Sequence, residues 1–172
     1  MDTKTIYLGA GCYWSKEYHL SRLVGVLGTE VGFAGGQLEN PSYLEVCGKK
    51  TGHAEVVAVR YQPKLLSFYC LLQHFFQLHP AQVDRRKNGG QYRSAIFFPN
   101  IANKLEISTI NWMFGFLTSA GLSPTTEVKE SVSFFRAMDR HQGYCERLSR
   151  PPKNGLGFPL YSWPAAPSGL IL

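Results

Sequence analysis

Cys12 lies in the segment Thr5-Ile6-Tyr7-Leu8-Gly9-Ala10-Gly11-Cys12-Tyr13-Trp14, and its surroundings predict a reactive thiol. The β-branched and aromatic run reads as a strand, Gly11 ends it, and the residues after Cys12 open a helix. A cysteine at a helix N-terminus faces unpaired backbone N–H groups and the positive end of the helix dipole. Both favour thiolate over thiol, so its expected pKa is lower than that of a free cysteine. Tyr13 and Trp14 would wall an apolar pocket beside it. This pattern points to covalent sulfur chemistry on a substrate with a small apolar group.

Glu55 opens the apolar run of Gly52-His53-Ala54-Glu55-Val56-Val57. A carboxylate there either meets water at the end of a sheet or is kept in an apolar pocket. In a pocket, burial would raise its pKa and make it a proton donor near neutral pH. His53 reads as a loop histidine. Tyr43 and Tyr92 fall in polar segments, and each reads either as a half-buried tyrosine or as a phenol donating to a substrate oxygen. Gln91-Tyr92-Arg93-Ser94 follows the pair Gly89-Gly90, where a chain can approach a ligand closely. Among the other cysteines, Cys47 lies in a polar loop and stays open in role. Cys70 reads as packing in the first turn of a helix, and Cys145 falls within a predicted helix. No CxxC and no metal-ligand spacing occurs, so no metal site is expected.

These side chains need a frame, and the pattern supplies one. Strands are predicted at Thr5–Ala10, Gly28–Ala34, Ala54–Tyr61, Ser94–Phe98 and Thr125–Val132. Helices are predicted at Trp14–Leu23, from Ser67 as N-cap to before Pro80, from about Ile101 to Ala120, and over Met138–Leu148. Gln37–Gly52 reads as polar turn. The order predicts an α+β two-layer sandwich, a ferredoxin-like βαβ core with a mixed sheet and helices on one face. The chain reads as one catalytic domain, 1–172, in which 149–172 is an irregular wrapping tail rich in Pro and Gly.

Composition narrows the class further. The 172 residues are 44% hydrophobic and 17% charged, as in ordinary globular proteins. The net charge is +6, but the one tight basic run, Arg85-Arg86-Lys87, lacks interleaved aromatics, so nucleic acid is not an expected partner. No run approaches the roughly 18 apolar residues of a membrane span, and no signal peptide is visible. A cytoplasmic, reducing location and a monomer are expected.

Together these segments resemble the A-type peptide methionine sulfoxide reductase family. The matching stretches are Gly11-Cys12-Tyr13-Trp14, Glu30-Val31-Gly32-Phe33-Ala34-Gly35-Gly36, Asn40-Pro41-Ser42-Tyr43 and Glu45-Val46-Cys47 with Thr51-Gly52-His53-Ala54-Glu55-Val56-Val57. Gly89 to Phe97 also match, as does His141-Gln142-Gly143-Tyr144. The resemblance implies reduction of methionine S-sulfoxide, free or in proteins, through a sulfenic acid on Cys12. It implies that Glu55 protonates the sulfoxide oxygen, that Tyr43 and Tyr92 hydrogen-bond it, and that Tyr13 and Trp14 hold the methyl group. No bound cofactor is implied; electrons come from an external thiol, either thioredoxin, glutaredoxin or a small thiol.

The chain also departs from the family's pattern. No cysteine follows Cys145, so Cys145, Cys47 or an external thiol would resolve the sulfenic acid. His79-Pro80 stands for His-Asp-Pro, Lys87 for an Asp, Gly90 for a Thr, Met138 for a Glu and Arg140 for a Tyr. Tyr13 replaces a Phe and Ser15 a Gly, and the loop before Gln91 is about three residues shorter. Asp84 is a candidate for the missing carboxylate. Two other readings stand beside the reductase: a relative acting on another sulfoxide or electrophile, and a thiol redox sensor without turnover.

Overall fold

The computed structural model describes residues 2–87, 89–152 and 161–170. Along the chain run β1 (Lys4–Ala10), α1 (Tyr13–Leu20), β2 (Val26–Ala34), α2 (Tyr43–Cys47), β3 (Ala54–Tyr61) and α3 (Phe68–Gln77). They are followed by β4 (Ser94–Phe97), α4 (Lys104–Ser119), β5 (Glu127–Lys129), β6 (Phe134–Arg136) and α5 (Tyr144–Arg147). The strands form one sheet in the order β5-β4-β1-β3-β2-β6. Every pairing is antiparallel except β4 with β5. The central β4-β1-β3-β2 order, with α1 and α3 as crossovers, is the ferredoxin-like arrangement predicted from the element order.

Alternation along the strands decides where the core sits. Ile6, Leu8 and Ala10 of β1, Val31 and Phe33 of β2, and Val57, Val59 and Tyr61 of β3 share one buried face. Against it pack Leu71, Leu72, Phe75 and Phe76 of α3, and Ile110, Met113 and Leu117 of α4. The opposite face carries smaller groups, Ala34, Ala54, Val56 and Ala95 with Phe97, and Phe134 stacks on Tyr7 there at 5.1 Å. The helices therefore cover one face, as expected.

Residues 149–152 and 161–170 of the tail carry neither helix nor strand; 153–160, 171 and 172 lie outside the described residues. The Tyr69 hydroxyl donates to the Pro164 carbonyl at 2.6 Å. The Trp163 ring lies 5.8 Å from that of Phe76 and 5.0 Å from that of Phe116. These contacts hold the tail over α3 and α4.

The structure differs from the sequence reading in four places. The stretch 37–52 contains a helix, α2, started by a capping box in which Ser42 accepts from the Glu45 N–H and Glu45 from the Ser42 N–H. The strand predicted over Thr125–Val132 shortens to β5, because Ser131 turns the chain at φ 53. β6 adds an edge to β2 that the sequence does not announce. The helix predicted over Met138–Leu148 is broken into a 3-10 turn at Asp139–His141 and α5. Gln142 is extended between them, and Gly143 holds φ 55, a left-handed value that glycine adopts without strain.

The β2–β6 edge depends on Gly32. A Cβ there would sit 2.6 Å from the Phe134 ring and collide with the Phe135 carbonyl. Gly32→Val is expected to destabilise the fold by about 1–3 kcal/mol through overpacking. Urea unfolding measures this, and an unchanged midpoint would show that β6 yields freely.

Candidate active site

The end of β1, the starts of β3 and β4, and the N-terminus of α1 converge at one end of the sheet. Gly11, at φ 97, makes the turn from β1 into α1 and leaves Cys12 as the N-cap residue. Cys12 has no conventional side-chain cap, and its residue is exposed. The first helical N–H, that of Tyr13, donates instead to Glu55 Oε2 at 3.1 Å. A carboxyl from β3 thus serves the positive end of α1.

Glu55 is 1% exposed, although it stands second in its strand. Its other oxygen, Oε1, accepts from the Gln91 side-chain amide at 2.8 Å. The Glu55 backbone N–H donates to the Gln91 carbonyl at 2.8 Å, which ties the turn before β4 to the start of β3. Burial pushes the Glu55 pKa up, while the two hydrogen bonds, from Tyr13 and Gln91, pull it partly back. Between the two places left open by the sequence, the Glu55 carboxyl is buried rather than meeting water at the sheet end.

The Cys12 pKa runs opposite to the sequence expectation. Desolvation of the sulfur raises it; the Trp14 and Ser15 N–H groups and Lys16 oppose this, and the Glu55 charge adds to the rise. The helix terminus acts in the expected direction but is outweighed by the site around it. Two cations stand close, since a Cβ on Gly11 would lie 3.4 Å from Arg85 Nη1 and 3.9 Å from Lys16 Cε. Lys16 Nζ is held by donation to the Leu78 carbonyl at 2.7 Å.

Phenols and thiols complete the pocket. Tyr43 is the first residue of α2, and its pKa is raised first by a hydrogen bond with Cys47 and then by burial. Cys47 Sγ also accepts from the Gln91 amide at 3.6 Å. Tyr92, exposed at the rim, is pushed up to about 12 by burial and by the charges of Glu55, Cys12 and Cys47. Both phenols remain protonated donors at neutral pH. Trp14 is half-buried and stacks on Tyr144 at 3.9 Å, and His141 stacks between Trp14 at 5.8 Å and Tyr43 at 4.8 Å. Tyr13 is 1% exposed and packs 6.0 Å from both Phe33 and His141, so it backs the wall rather than facing solvent.

Cys145 lies apart from this group. Its thiol donates to the Trp14 carbonyl at 3.5 Å on the flank of α1, and burial with the Glu17 charge raises its pKa. Asp84 also stays outside: it is exposed and paired with Arg86 at 2.8 Å. His53 is a structural histidine. Its Nδ1 accepts from the Gly36 N–H at 3.1 Å, and its Nε2–H donates to the Leu38 carbonyl at 2.7 Å.

Two sequence segments gain specific roles here. After Gln91 and Tyr92, Arg93 pairs with Glu127 at 2.6 Å and donates to the Gly90 carbonyl at 2.9 Å, holding the turn. Ser94 Oγ donates to His79 Nε2 at 2.7 Å, because His79 Nδ1–H already donates to the Phe75 carbonyl. In the second segment, Gln142 bonds the Val31 N–H and carbonyl along β2, and the Gly143 N–H donates to Glu17 at 2.8 Å. Gln91, Lys16, Arg85, His141 and Tyr144 were not among the site residues expected from sequence. The first, fourth and fifth fall within matched segments; Lys16 carried no signal, and Arg85 was noted only as part of the basic run Arg85-Arg86-Lys87.

A family model described as peptide methionine sulfoxide reductase matches residues 4–155. The chain belongs to the peptide methionine sulfoxide reductase family. It is 45% identical over 163 residues to the mitochondrial peptide methionine sulfoxide reductase of Homo sapiens, covering 90% of this chain and 68% of that one. Among solved structures, methionine sulfoxide reductase A of Corynebacterium diphtheriae superposes with a TM-score of 0.75 at 33% identity, covering 91% and 81% of the two chains. Mxr1 from Saccharomyces cerevisiae in reduced form gives 0.78 at 26% identity, covering 91% of each. As in others of this family, the chain is an enzyme, an oxidoreductase.

Membership gives the Glu55 environment a measurable consequence. A carboxyl whose folded pKa is raised contributes stability below its ordinary value of 4.5 and loses it as pH rises through the raised value. Glu55→Gln removes that loss. The unfolding free energy of the variant relative to the parent should therefore climb as pH rises from acid through neutrality. Urea titrations across this range check it; a difference independent of pH would mean that Glu55 titrates normally.

Proposed function

We propose that this enzyme reduces methionine sulfoxide with Cys12 as nucleophile and Glu55 as proton donor. The carrying observation is the buried Glu55 carboxyl hydrogen-bonded to the N–H of the residue next to Cys12. The Glu55 charge raises the thiol pKa, so protonating Glu55 removes that penalty. A protonated Glu55 therefore stands beside a thiolate at lower cost than an ionised one would, which pairs an acid with a nucleophile.

The thiolate attacks the sulfoxide sulfur while Glu55 protonates the oxygen, which leaves poorly unless protonated. Tyr43 and Tyr92 donate to that oxygen as charge develops on it. Trp14, fixed between Tyr144 and His141, packs against the methyl group. In the net exchange, sulfoxide and thiol become thioether and sulfenic acid, and the substrate sulfur takes the two electrons that Cys12 loses. A second thiol then displaces water to form a disulfide, and two electrons from an external thiol restore both cysteines.

Cys47 is the better-supported resolving thiol. One hydrogen-bonded chain runs from the Tyr13 N–H through Glu55 and Gln91 to Cys47 Sγ, whereas Cys145 bonds a backbone carbonyl on the flank of α1. We assign thioredoxin, glutaredoxin or a small thiol as reductant and the S epimer of methionine sulfoxide, free or in proteins, as substrate. The enzyme is assigned as a monomer. A cytoplasmic location is assigned with it.

Cys12→Ser should yield no methionine from the sulfoxide with dithiothreitol, and Glu55→Gln should lower turnover by about 10²–10⁴-fold. Substantial product from Cys12→Ser would reject the nucleophile. Mass spectrometry after one turnover without reductant should find a Cys12–Cys47 disulfide. A lasting sulfenic acid, or a disulfide to Cys145, would reject Cys47.

A further inference from the structure

Lys4, Arg22, Arg86, Arg93, Lys129 and Arg136 each pair with a carboxylate. Two cations beside the nucleophile do not. Among the described residues, Arg85 makes neither a hydrogen bond nor an ion pair. Asp84, its neighbour in the chain, is turned to Arg86 and accepts from that residue's N–H and guanidinium. Lys16 makes one donation, to the Leu78 carbonyl at 2.7 Å, which leaves ammonium donors to spare.

The two cations meet at one point. A Cβ on Gly11 would lie 3.4 Å from Arg85 Nη1 and 3.9 Å from Lys16 Cε. Gly11 directly precedes Cys12, and consecutive Cα atoms are 3.8 Å apart, so the guanidinium reaches to within about 9 Å of the Cys12 Cα. Cys12 and Arg85 are both exposed, so one ligand has access to both. Like charges this close repel unless an anion lies between them. Glu55 does not fill that place, being held by the Tyr13 N–H and the Gln91 amide. The field is accordingly positive: Arg85 pushes the Lys16 pKa down, and both cations push down that of buried His79.

We infer that Arg85 and Lys16 form a subsite for a carboxylate carried beside the sulfoxide. That carboxylate is either the free C-terminus of methionine sulfoxide itself or an acidic side chain next to it in a protein. This rests on the reductase reading above. A short aliphatic chain separates the sulfur of methionine sulfoxide from its own carboxylate, so a substrate whose sulfur meets Cys12 brings that group to the Gly11 turn. The unpaired Arg85 guanidinium receives it through parallel N–H donors, and Lys16, anchored on Leu78, adds a second positive charge. No covalent bond is made or broken there; the subsite selects which sulfoxides are held.

The full-length reduced enzyme is assayed with dithiothreitol, an uncharged reductant, on two matched pairs. One pair is N-acetylmethionine sulfoxide and its neutral N-methylamide. The other is an end-capped dipeptide with aspartate before the methionine sulfoxide and the same dipeptide with asparagine. The readout is the ratio of kcat/KM, charged over neutral, because an effect on the thiol acts on both members and cancels. Arg85→Ala should lower this ratio by about threefold to tenfold in at least one pair, between the worth of an exposed ion pair and that of a charged hydrogen bond. A fall confined to the first pair assigns the subsite to a free C-terminus, and one confined to the second to an acidic neighbour. In the parent, which needs no substitution, the same ratio should fall as salt is raised to about 1 M, where screening shortens to about 3 Å. Ratios within about twofold of the parent in both pairs overturn the inference, as does a parent ratio indifferent to salt. A parent that releases no methionine from any of these substrates refutes the reductase reading itself, whereas an active parent with unmoved ratios refutes only the subsite.

Discussion

The Glu55 carboxyl, held between the Tyr13 N–H and the Gln91 amide, ties three parts of the molecule to one point. It lies in one of the two central strands of the sheet, so it cannot move without disturbing both neighbours of β3. Burial makes its charged form costly, and the two donors relieve only part of that cost. Each donor in turn is set by other contacts. Tyr13 begins the helix that carries Cys12, and Gln91 belongs to a turn locked by Arg93, Glu127 and the Gly90 carbonyl. The position of the Glu55 carboxyl relative to the Cys12 thiol is therefore a property of the whole sheet end.

The same contact couples the two titrations. With Glu55 ionised, its charge disfavours a thiolate at Cys12; with Glu55 neutral, the Trp14 and Ser15 N–H groups and Lys16 act on the sulfur with less opposition. Thiol with carboxylate and thiolate with carboxylic acid carry equal net charge, so exchanging one for the other would take up no ion. Breaking an S–O bond needs the second arrangement. Phenols suit it, because neutral donors stabilise a developing charge without adding a fixed one.

Strongly patterned elements were legible in the sequence. β3, with Val56, Val57, Val59 and Tyr61, runs over the predicted residues, and α3 starts at its predicted Ser67 cap. Elements held by distant partners were not. β6 exists because β2 offers it an edge, and the break at Gln142 exists because that side chain bonds Val31, 111 residues away. α2 is a different case: its Ser42 and Glu45 box was present in the sequence but concealed in a polar stretch.

The site divides along the same line. Residue type and local order determined by themselves that Cys12 follows a glycine turn at a helix start, that Glu55 opens an apolar strand, and that the family is that of the peptide methionine sulfoxide reductases. These features depend on neighbours in the chain. Only the tertiary structure decided that Glu55 is buried, that the Cys12 pKa rises, that Cys47 shares the Gln91 amide while Cys145 faces the flank of α1, and that the Tyr13 hydroxyl lacks a partner. Desolvation and hydrogen bonding depend on every atom within a few ångströms, and those atoms come from strands, turns and helices far apart in the sequence.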